Sequence, residues 1–223
     1  MSAGADGTYT GHVDESGGPV ERRDGRLLVR KLSVGEMDNN VYVLADAETG
    51  DALIVDAAAE ADRIRAAVAD LDPNAVVQTH GHWDHVRAWD DLAADPGLEI
   101  WGHPGDADLF PNPLDRELAD GDTIPVGDLE VEVIHTPGHT DGSIHLLVHG
   151  DDRPHLVTGD SLFPGGPGNT WGDADRFRQL MDGLKERIFG PLSDETWVYP
   201  GHGDDTTLGT ERPQVPEWEE RGW

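Results

Sequence analysis

Three histidines and one aspartate are crowded into six consecutive positions of the chain. They lie in the segment THGHWDH (79–85), directly after a short apolar segment that is typical of a strand. A lone histidine is usually structural, whereas imidazoles and carboxylates gathered at a strand end suit zinc or iron. If residues 80 and 82 are extended, their side chains leave the same face, while Asp84 and His85 point elsewhere after the turn. The segment therefore predicts a metal site and leaves room for a second ion.

Three further candidate ligands follow predicted strands in other parts of the chain. They are His139 in TPGHTDGS, Asp160 in TGDSLF and His202 in YPGHG. The glycines and prolines around them predict tight turns, which would fix each side chain as a preorganised ligand requires. The complete set of candidate metal ligands is His80, His82, Asp84, His85, His139, Asp160 and His202.

Strands and helices that could position these residues are readable from hydrophobic periodicity and turn residues. A β-meander is predicted first, and a helix over 60–71 is expected to end before Pro73. A longer amphipathic helix is predicted over 174–189, with Asp173 as its N-cap. Strands are predicted at 27–33, 40–46, 52–56, 75–79, 98–101, 128–136, 143–149, 155–159 and 197–201.

Composition excludes several classes of partner and ligand. The chain has 45 acidic and 16 basic residues, a net charge of −29, which repels nucleic acids and anionic membranes. Because it has no cysteine, a transition-metal site must use imidazole and carboxylate groups. Without a secretory start or an apolar run of about 18 residues, we expect a cytoplasmic protein that acts on a small molecule. We predict a loose tail over residues 1–18 and a single catalytic domain over 19–223.

Four segments, in this order, resemble the metallo-β-lactamase superfamily and, within it, the glyoxalase II-like hydrolases. They are THGHWDH, TPGHTDGS, GDSLF and PGHGDDTTLGTER, and the resemblance covers nearly the whole chain from about residue 27. It implies an α/β protein with a four-layer αβ/βα sandwich and metals at one edge of the two sheets. It also implies that one ion is held by His80, His82 and His139, the other by Asp84, His85 and His202, and that Asp160 bridges them.

The implied chemistry is hydrolysis by a metal-bound hydroxide. Two divalent ions can lower the pKa of bound water to about 7 and polarise a carbonyl. Asp84 is the expected catalytic carboxylate, which would orient the hydroxide and carry a proton to the leaving group. We therefore predict a hydrolase of small esters, above all thioesters, with two zinc ions, although iron or manganese suits the same ligands. The alternatives are a lactonase, an iron-dependent persulfide dioxygenase and a metal-binding module without activity.

Some residues near these segments have two interpretations or depart from the family pattern. Val86 and Arg87 stand where typical members have glycines, and Asn169 and Thr170 stand where members acting on glutathione thioesters often have arginine. Arg87 either meets a substrate carboxylate or is solvated. The tryptophans at positions 83 and 171 either form an apolar lip over the substrate or pack in the core. We expect structural roles for the remaining histidines of the strands, His103, His135, His145, His149 and His155.

Overall fold

Two β-sheets packed face to face form the centre of the molecule. The computed structural model describes residues 9–14 and 17–222. The first sheet has seven strands in chain order, antiparallel from the first to the fourth and parallel from there on. They are β1 (Val20–Asp24), β2 (Leu27–Val34), β3 (Asn39–Asp46), β4 (Asp51–Val55), β5 (Asp72–Val77), β6 (Glu99–Gly102) and β7 (Arg116–Glu117).

The second sheet has six strands, in the order β15, β14, β11, β10, β9, β8. In it β11 and β14 are parallel neighbours, so the loops that follow them leave from the same edge. A two-stranded hairpin of β12 and β13 follows β11. The bounds are β8 (Thr123–Val126), β9 (Leu129–His135), β10 (Ile144–His149), β11 (Pro154–Gly159), β12 (Leu162–Phe163), β13 (Gly166–Pro167), β14 (Trp197–Pro200) and β15 (Thr206–Thr207).

The helices cover the outer faces of the two sheets. As predicted, the Asp173 side chain caps the longest helix, accepting hydrogen bonds from the backbone N–H groups of Asp175 and Arg176. That helix continues with π-helical hydrogen bonding over Leu184–Phe189. None of the helices within the described residues has the length and apolar character that a bilayer crossing requires. The α-helices are α1 (Ala61–Ala67), α2 (Trp89–Ala93), α3 (Ala174–Gly183), α4 (Leu208–Glu211) and α5 (Val215–Arg221).

Three apolar clusters separate four layers. One fills the space between the sheets, with Tyr42 and Tyr199 at its centre. A second lies between the first sheet and helices α1 and α2, around Ile64 and Leu92. The third lies between the second sheet and helices α3 and α5, around Trp218. The predicted four-layer sandwich is therefore confirmed, and each fully buried aliphatic side chain contributes about 1.5–3 kcal/mol to its stability.

Two predicted element boundaries were wrong, for local reasons. Helix α1 begins only after Glu60, whose φ of 55° lies outside the helical region, and the helix ends before Val68. Strand β5 begins at Asp72 and includes Pro73, which had been expected to precede it. Proline is compatible with the first residues of a strand, where the register of β5 against β4 is also irregular.

The N-terminal segment 9–13 packs against the body of the protein, which corrects the prediction of a loose tail for this part. Tyr9 Oη donates a hydrogen bond to Asp205 Oδ2 at 2.7 Å, and Val13 is buried. The Gly11 carbonyl accepts a hydrogen bond from Lys31 Nζ at 2.6 Å. Residues 1–8 and 15–16 of the predicted tail lie outside the described residues.

Lys31 and Asp205 form a fully buried ion pair at 2.7 Å that joins this segment to the loop after β14. Lys31 Nζ also donates to the carbonyl of Gly203, next to the candidate ligand His202. Burial raises the pKa of Asp205, so the ammonium only partly offsets the cost of desolvating this carboxylate. The pair therefore fixes the position of the His202 loop.

Replacing Lys31 by methionine should lower the free energy of unfolding by about 3 kcal/mol, because it leaves the Asp205 carboxylate buried without its cation. Urea denaturation at neutral pH would measure the loss. Lys185→Met is the matched control, since Lys185 pairs with Glu219 at 2.6 Å on the surface and should cost less than about 1 kcal/mol. Equal losses in the two variants would contradict the structural role of the buried pair.

Candidate metal site

All seven predicted ligands meet at one edge of the sandwich. They are carried by the loops that follow β5, β9, β11 and β14. Strands β4 and β5 are parallel neighbours in one sheet and β11 and β14 in the other, so their carboxyl ends open toward a common edge. The backbone of His82 is extended, and a turn of 3₁₀ helix over Trp83–His85 then redirects the chain, as the spacing predicted.

His80, His82 and His139 form the first group of candidate ligands. One ring nitrogen of each lies within 4.8 Å of the others. His139 Nε2 lies 2.9 Å from His82 Nδ1, and His139 Nδ1 donates to the carbonyl of Asn169 at 2.9 Å. His80 Nε2 is buried and has no hydrogen-bond partner within the described residues. A buried imidazole nitrogen without a partner is costly, and a metal ion at this point would satisfy it.

Asp84, His85 and His202 form the second group, again with ligand atoms within 4.8 Å of one another. His85 Nε2 lies 3.2 Å from His202 Nε2, and Asp84 Oδ2 lies 3.3 Å from the same His202 atom. Asn39 Nδ2 donates to Asp84 Oδ2 at 2.9 Å, and His202 Nδ1 donates to the carbonyl of Met37 at 2.8 Å. These contacts orient the ligand atoms toward one point, as metal ligands require.

Asp160 lies between the two groups and reaches both. Its Oδ1 is 3.4 Å from His85 Nε2, while its Oδ2 is 3.4 Å from His202 Nε2 and 3.7 Å from His139 Nε2. Its carboxylate is therefore placed where a bridging ligand would have to be. The structure brings all seven residues together, and their individual roles as ligands stay a prediction.

Asp56, at the end of β4, belongs to the site although the sequence did not single it out. It accepts hydrogen bonds from the Thr79 backbone N–H at 2.7 Å and from the Thr79 hydroxyl at 2.8 Å. His85 Nδ1 lies 2.9 Å from its Oδ2, and Asp56, His80 and His85 form a third group able to hold an ion. A carboxylate on the far nitrogen of a ligand histidine fixes the tautomer and makes it a better ligand. In the sequence, the position of Asp56 at the end of a buried strand was the feature that could have indicated this role.

Asp106 is a second buried carboxylate that sequence reasoning missed. It accepts hydrogen bonds from the backbone N–H groups of Gly81 at 2.8 Å and Gly142 at 2.7 Å. The Thr140 hydroxyl donates to it at 2.7 Å. Asp106 thus joins the loop of His80 and His82 to the loop of His139, and so holds the first ligand group together.

The two ligand groups differ in protonation in the metal-free protein. Burial lowers the pKa of His80 and His82, and lowers that of His139 to about 4, so these imidazoles are neutral at pH 7. Burial acts in the same direction on His202, but hydrogen bonds to Asp160 and Asp84 outweigh it and raise its pKa to about 10. The carboxylates of Asp160 and Asp56 likewise raise the pKa of His85 against the effect of burial. The first group is therefore ready to bind a cation, while the second must lose protons.

The remaining strand histidines lie outside the three ligand groups, as expected. His103 and His135 stack with ring centroids 3.8 Å apart, and His155 Nε2 lies 2.9 Å from Asp24 Oδ2. His145 is buried with its Nε2 2.7 Å from the Thr136 hydroxyl, and His149 is exposed at the end of β10.

Both tryptophans of the motif segments are exposed, so the core-packing interpretation was wrong. The Trp171 ring lies against two ligand imidazoles, with centroid distances of 5.2 Å to His82 and 5.3 Å to His139. The Arg87 guanidinium lies over the Trp83 ring, 5.7 Å from its centroid.

Metal binding should release more protons at the second group than at the first. Below pH about 10 a proton on His202 competes with the ion, so the metal affinity of the second group should rise with pH. The metal affinity of the first group should change little above pH about 6.5, because its imidazoles are already neutral there. Zinc titration by calorimetry in buffers of different ionisation enthalpy would count the protons. His202→Ala should remove the step that releases most of them. Equal proton release for both equivalents of zinc would contradict the assigned protonation.

Known proteins are similar to this chain in sequence and in fold. The family model of the metallo-beta-lactamase superfamily matches residues 34–202. The hydroxyacylglutathione hydrolase GloC of Haemophilus influenzae is 32% identical over 210 residues, covering 85% of this chain and 97% of the relative. The crystal structure of ETHE1 from Myxococcus xanthus superimposes with a TM-score of 0.73 at 32% identity, covering 84% of this chain and 83% of that one.

A further solved structure, TTHA1623 in a di-iron-bound form, superimposes with a TM-score of 0.69 at 28% identity. The superposition covers 82% of this chain and 96% of that one. The match of the family model extends from the end of β2 to His202 and so includes every predicted ligand. The chain belongs to the metallo-beta-lactamase superfamily of metal-dependent hydrolases.

Proposed function

We propose that this protein is a dinuclear metal-dependent hydrolase of small thioesters, with zinc as its resident ion. The observation that carries the proposal is the position of Asp160 between two complete groups of ligand atoms, His80, His82 and His139 on one side and Asp84, His85 and His202 on the other. The similarity to a hydroxyacylglutathione hydrolase at 32% identity supports a thioester as the substrate.

The donor set fits two ions of the first transition series. Imidazole nitrogens and carboxylate oxygens are ligands of zinc, iron and manganese, and a cation would satisfy the His80 Nε2 atom that no protein group contacts by a hydrogen bond. Ions bound there would make water a stronger acid and polarise an ester carbonyl.

The protein's own contribution is to hold these groups in place. Asp56 fixes the ring of His85, the Asn169 carbonyl fixes His139, and the Met37 carbonyl fixes His202, each through the ring nitrogen that faces away from the ligand cluster. Such contacts keep the lone pairs of the opposite nitrogens available for a cation. The protein's own contacts thus orient the ligand nitrogens of these three histidines.

Asp84 is the group placed to move a proton. Burial would raise its pKa, but the hydrogen bonds with His202 and Asn39 and the charge of His85 together outweigh burial and hold the pKa below its usual range, so the carboxylate is ionised. It can take the proton of the attacking water as the oxygen–carbon bond forms. The same proton then passes to the leaving sulfur as the carbon–sulfur bond breaks.

Lactone hydrolysis is the nearest alternative, because it uses the same attack on a carbonyl and the same ligand set. An iron-dependent persulfide dioxygenase is the alternative from another reaction class. The group of Asp84, His85 and His202 contains two histidines and one carboxylate, the ligand set of many non-haem iron oxygenases. The similarity to a protein crystallised in a di-iron-bound form also supports iron.

Asp84→Asn should retain the fold but lower kcat for a thioester by about 10²–10⁴-fold, because the amide cannot carry the proton. Thioester hydrolysis by the zinc-loaded variant would be measured, with its metal content determined alongside. Asp182→Asn, an exposed change on α3, is the matched control and should keep the activity. A kcat near that of the wild type in a fully loaded Asp84 variant would contradict the role.

Metal analysis combined with two assays should separate the candidate reactions. Protein stripped by a chelator should lose thioester hydrolysis and regain it with zinc, since the ions activate the water and the carbonyl. Oxygen consumption with a persulfide substrate should stay at background. Oxygen uptake that depends on added iron, without thioester or lactone hydrolysis, would replace the proposal by the dioxygenase.

A further inference from the structure

Large apolar side chains are exposed at four positions within the described residues, and all four surround the candidate metal site. The exposed fractions are 48% for Met37, 62% for Trp83, 48% for Leu109 and 61% for Trp171. Scattered exposed apolar residues are normal, whereas exposed apolar residues gathered around a site of polar ligands are typical of a binding surface. These four residues are called the apolar rim below.

Each residue of the apolar rim is attached to a ligand loop. The carbonyl of Met37 accepts a hydrogen bond from His202 Nδ1, and Trp83 stands between two candidate ligands in the chain. A Cβ atom added to Gly81 would lie 2.6 Å from the Leu109 Cβ, so Leu109 abuts the backbone between His80 and His82. Trp171 covers the rings of His82 and His139. A molecule at the metal site would therefore meet the rim.

Trp171 has a backbone conformation that the packing of the protein does not explain. Its φ of 53° lies in the left-handed region, which is strained for a bulky residue. Its backbone N–H donates to Asn169 Oδ1 at 2.7 Å, and this bond holds the turn. Because the Trp171 side chain stays largely exposed, no burial of apolar surface compensates for this backbone strain in the protein alone. Strain of this kind at a site is typical of residues that contact a ligand.

The charged residues around the apolar rim indicate which kind of substrate it can bind. Arg176, whose guanidinium is 3.3 Å from the His139 carbonyl, is paired with Asp141 at 2.9 Å. Arg87 lies over Trp83, in a surface groove whose charged lining consists of four carboxylates and three guanidinium groups, Glu36, Glu60, Asp62, Asp91, Arg63, Arg65 and Arg87. The groove thus has no excess of positive charge, and with a net charge of −29 on the chain these surroundings favour an apolar group over a glutathione moiety with its two carboxylates.

We propose that the apolar rim binds an alkyl or aryl chain next to the reacting carbonyl, so that the substrate class is an apolar acyl thioester. This inference rests on the hydrolase function proposed above and names the substrate of the same site. Trp171 is its main specificity residue, since its ring spans the space between the first ligand group and solvent.

The test uses acyl thioesters of one small neutral thiol, from acetyl to octanoyl, and a hydroxyacylglutathione for comparison. With zinc-loaded protein, kcat/KM should rise about twofold or more for each added methylene group, because complete burial of a methylene corresponds to about fourfold. Trp171→Ala should flatten this dependence, and Trp171→Phe should restore most of it. Metal content, measured in each variant, separates loss of the rim from loss of the site.

Calorimetry with the uncleavable octyl thioether of the same thiol gives a readout that does not depend on turnover. Binding of the thioether that weakens at least about fivefold in Trp171→Ala supports the apolar rim. This result would support the rim even if the protein hydrolyses no thioester, and only the proposed reaction would then be wrong. Rates that are independent of chain length, or highest with the hydroxyacylglutathione, would overturn the rim while leaving the hydrolase intact. Dimerisation in solution that Trp171→Ala abolishes would also overturn it, because the rim would then be an interface between copies.

Discussion

The carboxylate of Asp160 is the contact on which the candidate metal site depends. It is surrounded by His85, His139 and His202 from three different loops, at distances of 3.4 to 3.7 Å. Two glycines make this approach possible. A Cβ atom at position 201 would lie 2.0 Å from Asp160 Oδ1, and one at position 168 would lie 1.7 Å from the Asp160 carbonyl oxygen. Any larger residue at either position would push the carboxylate out of reach of its neighbours.

The convergence of the seven candidate ligands was predictable because each stands near a strand end in a distinctive local pattern. His80, His82 and His85 share one segment, and the turns around His139 and His202 are visible as glycine and proline. Hydrophobic periodicity located individual strands and the helix with its Asp173 cap, whereas the four-layer arrangement was implied by the resemblance to the superfamily. These features are encoded locally, so one sequence was sufficient to find them.

The supporting carboxylates could not be found in the same way. Asp56 and Asp106 are two among 45 acidic residues, and only tertiary contacts distinguish them from solvated ones. In the segment 9–13 the small polar composition likewise concealed the contact of Tyr9 with Asp205. Partners distant in the chain decide these cases. The two-residue strands β7, β12, β13 and β15 were missed for a different reason, because segments of this length are too short to show hydrophobic alternation.

Asn169 connects the proposed specificity residue Trp171 and the candidate ligand His139 within a single turn. Its backbone carbonyl accepts the hydrogen bond of His139 Nδ1, while its side-chain oxygen accepts that of the Trp171 backbone N–H. A change in this short turn therefore alters the ligand geometry and the aromatic surface together. Redesign of the acyl preference of this protein is consequently constrained, because a remodelled turn over residues 169–171 would have to leave the imidazole of His139 in place.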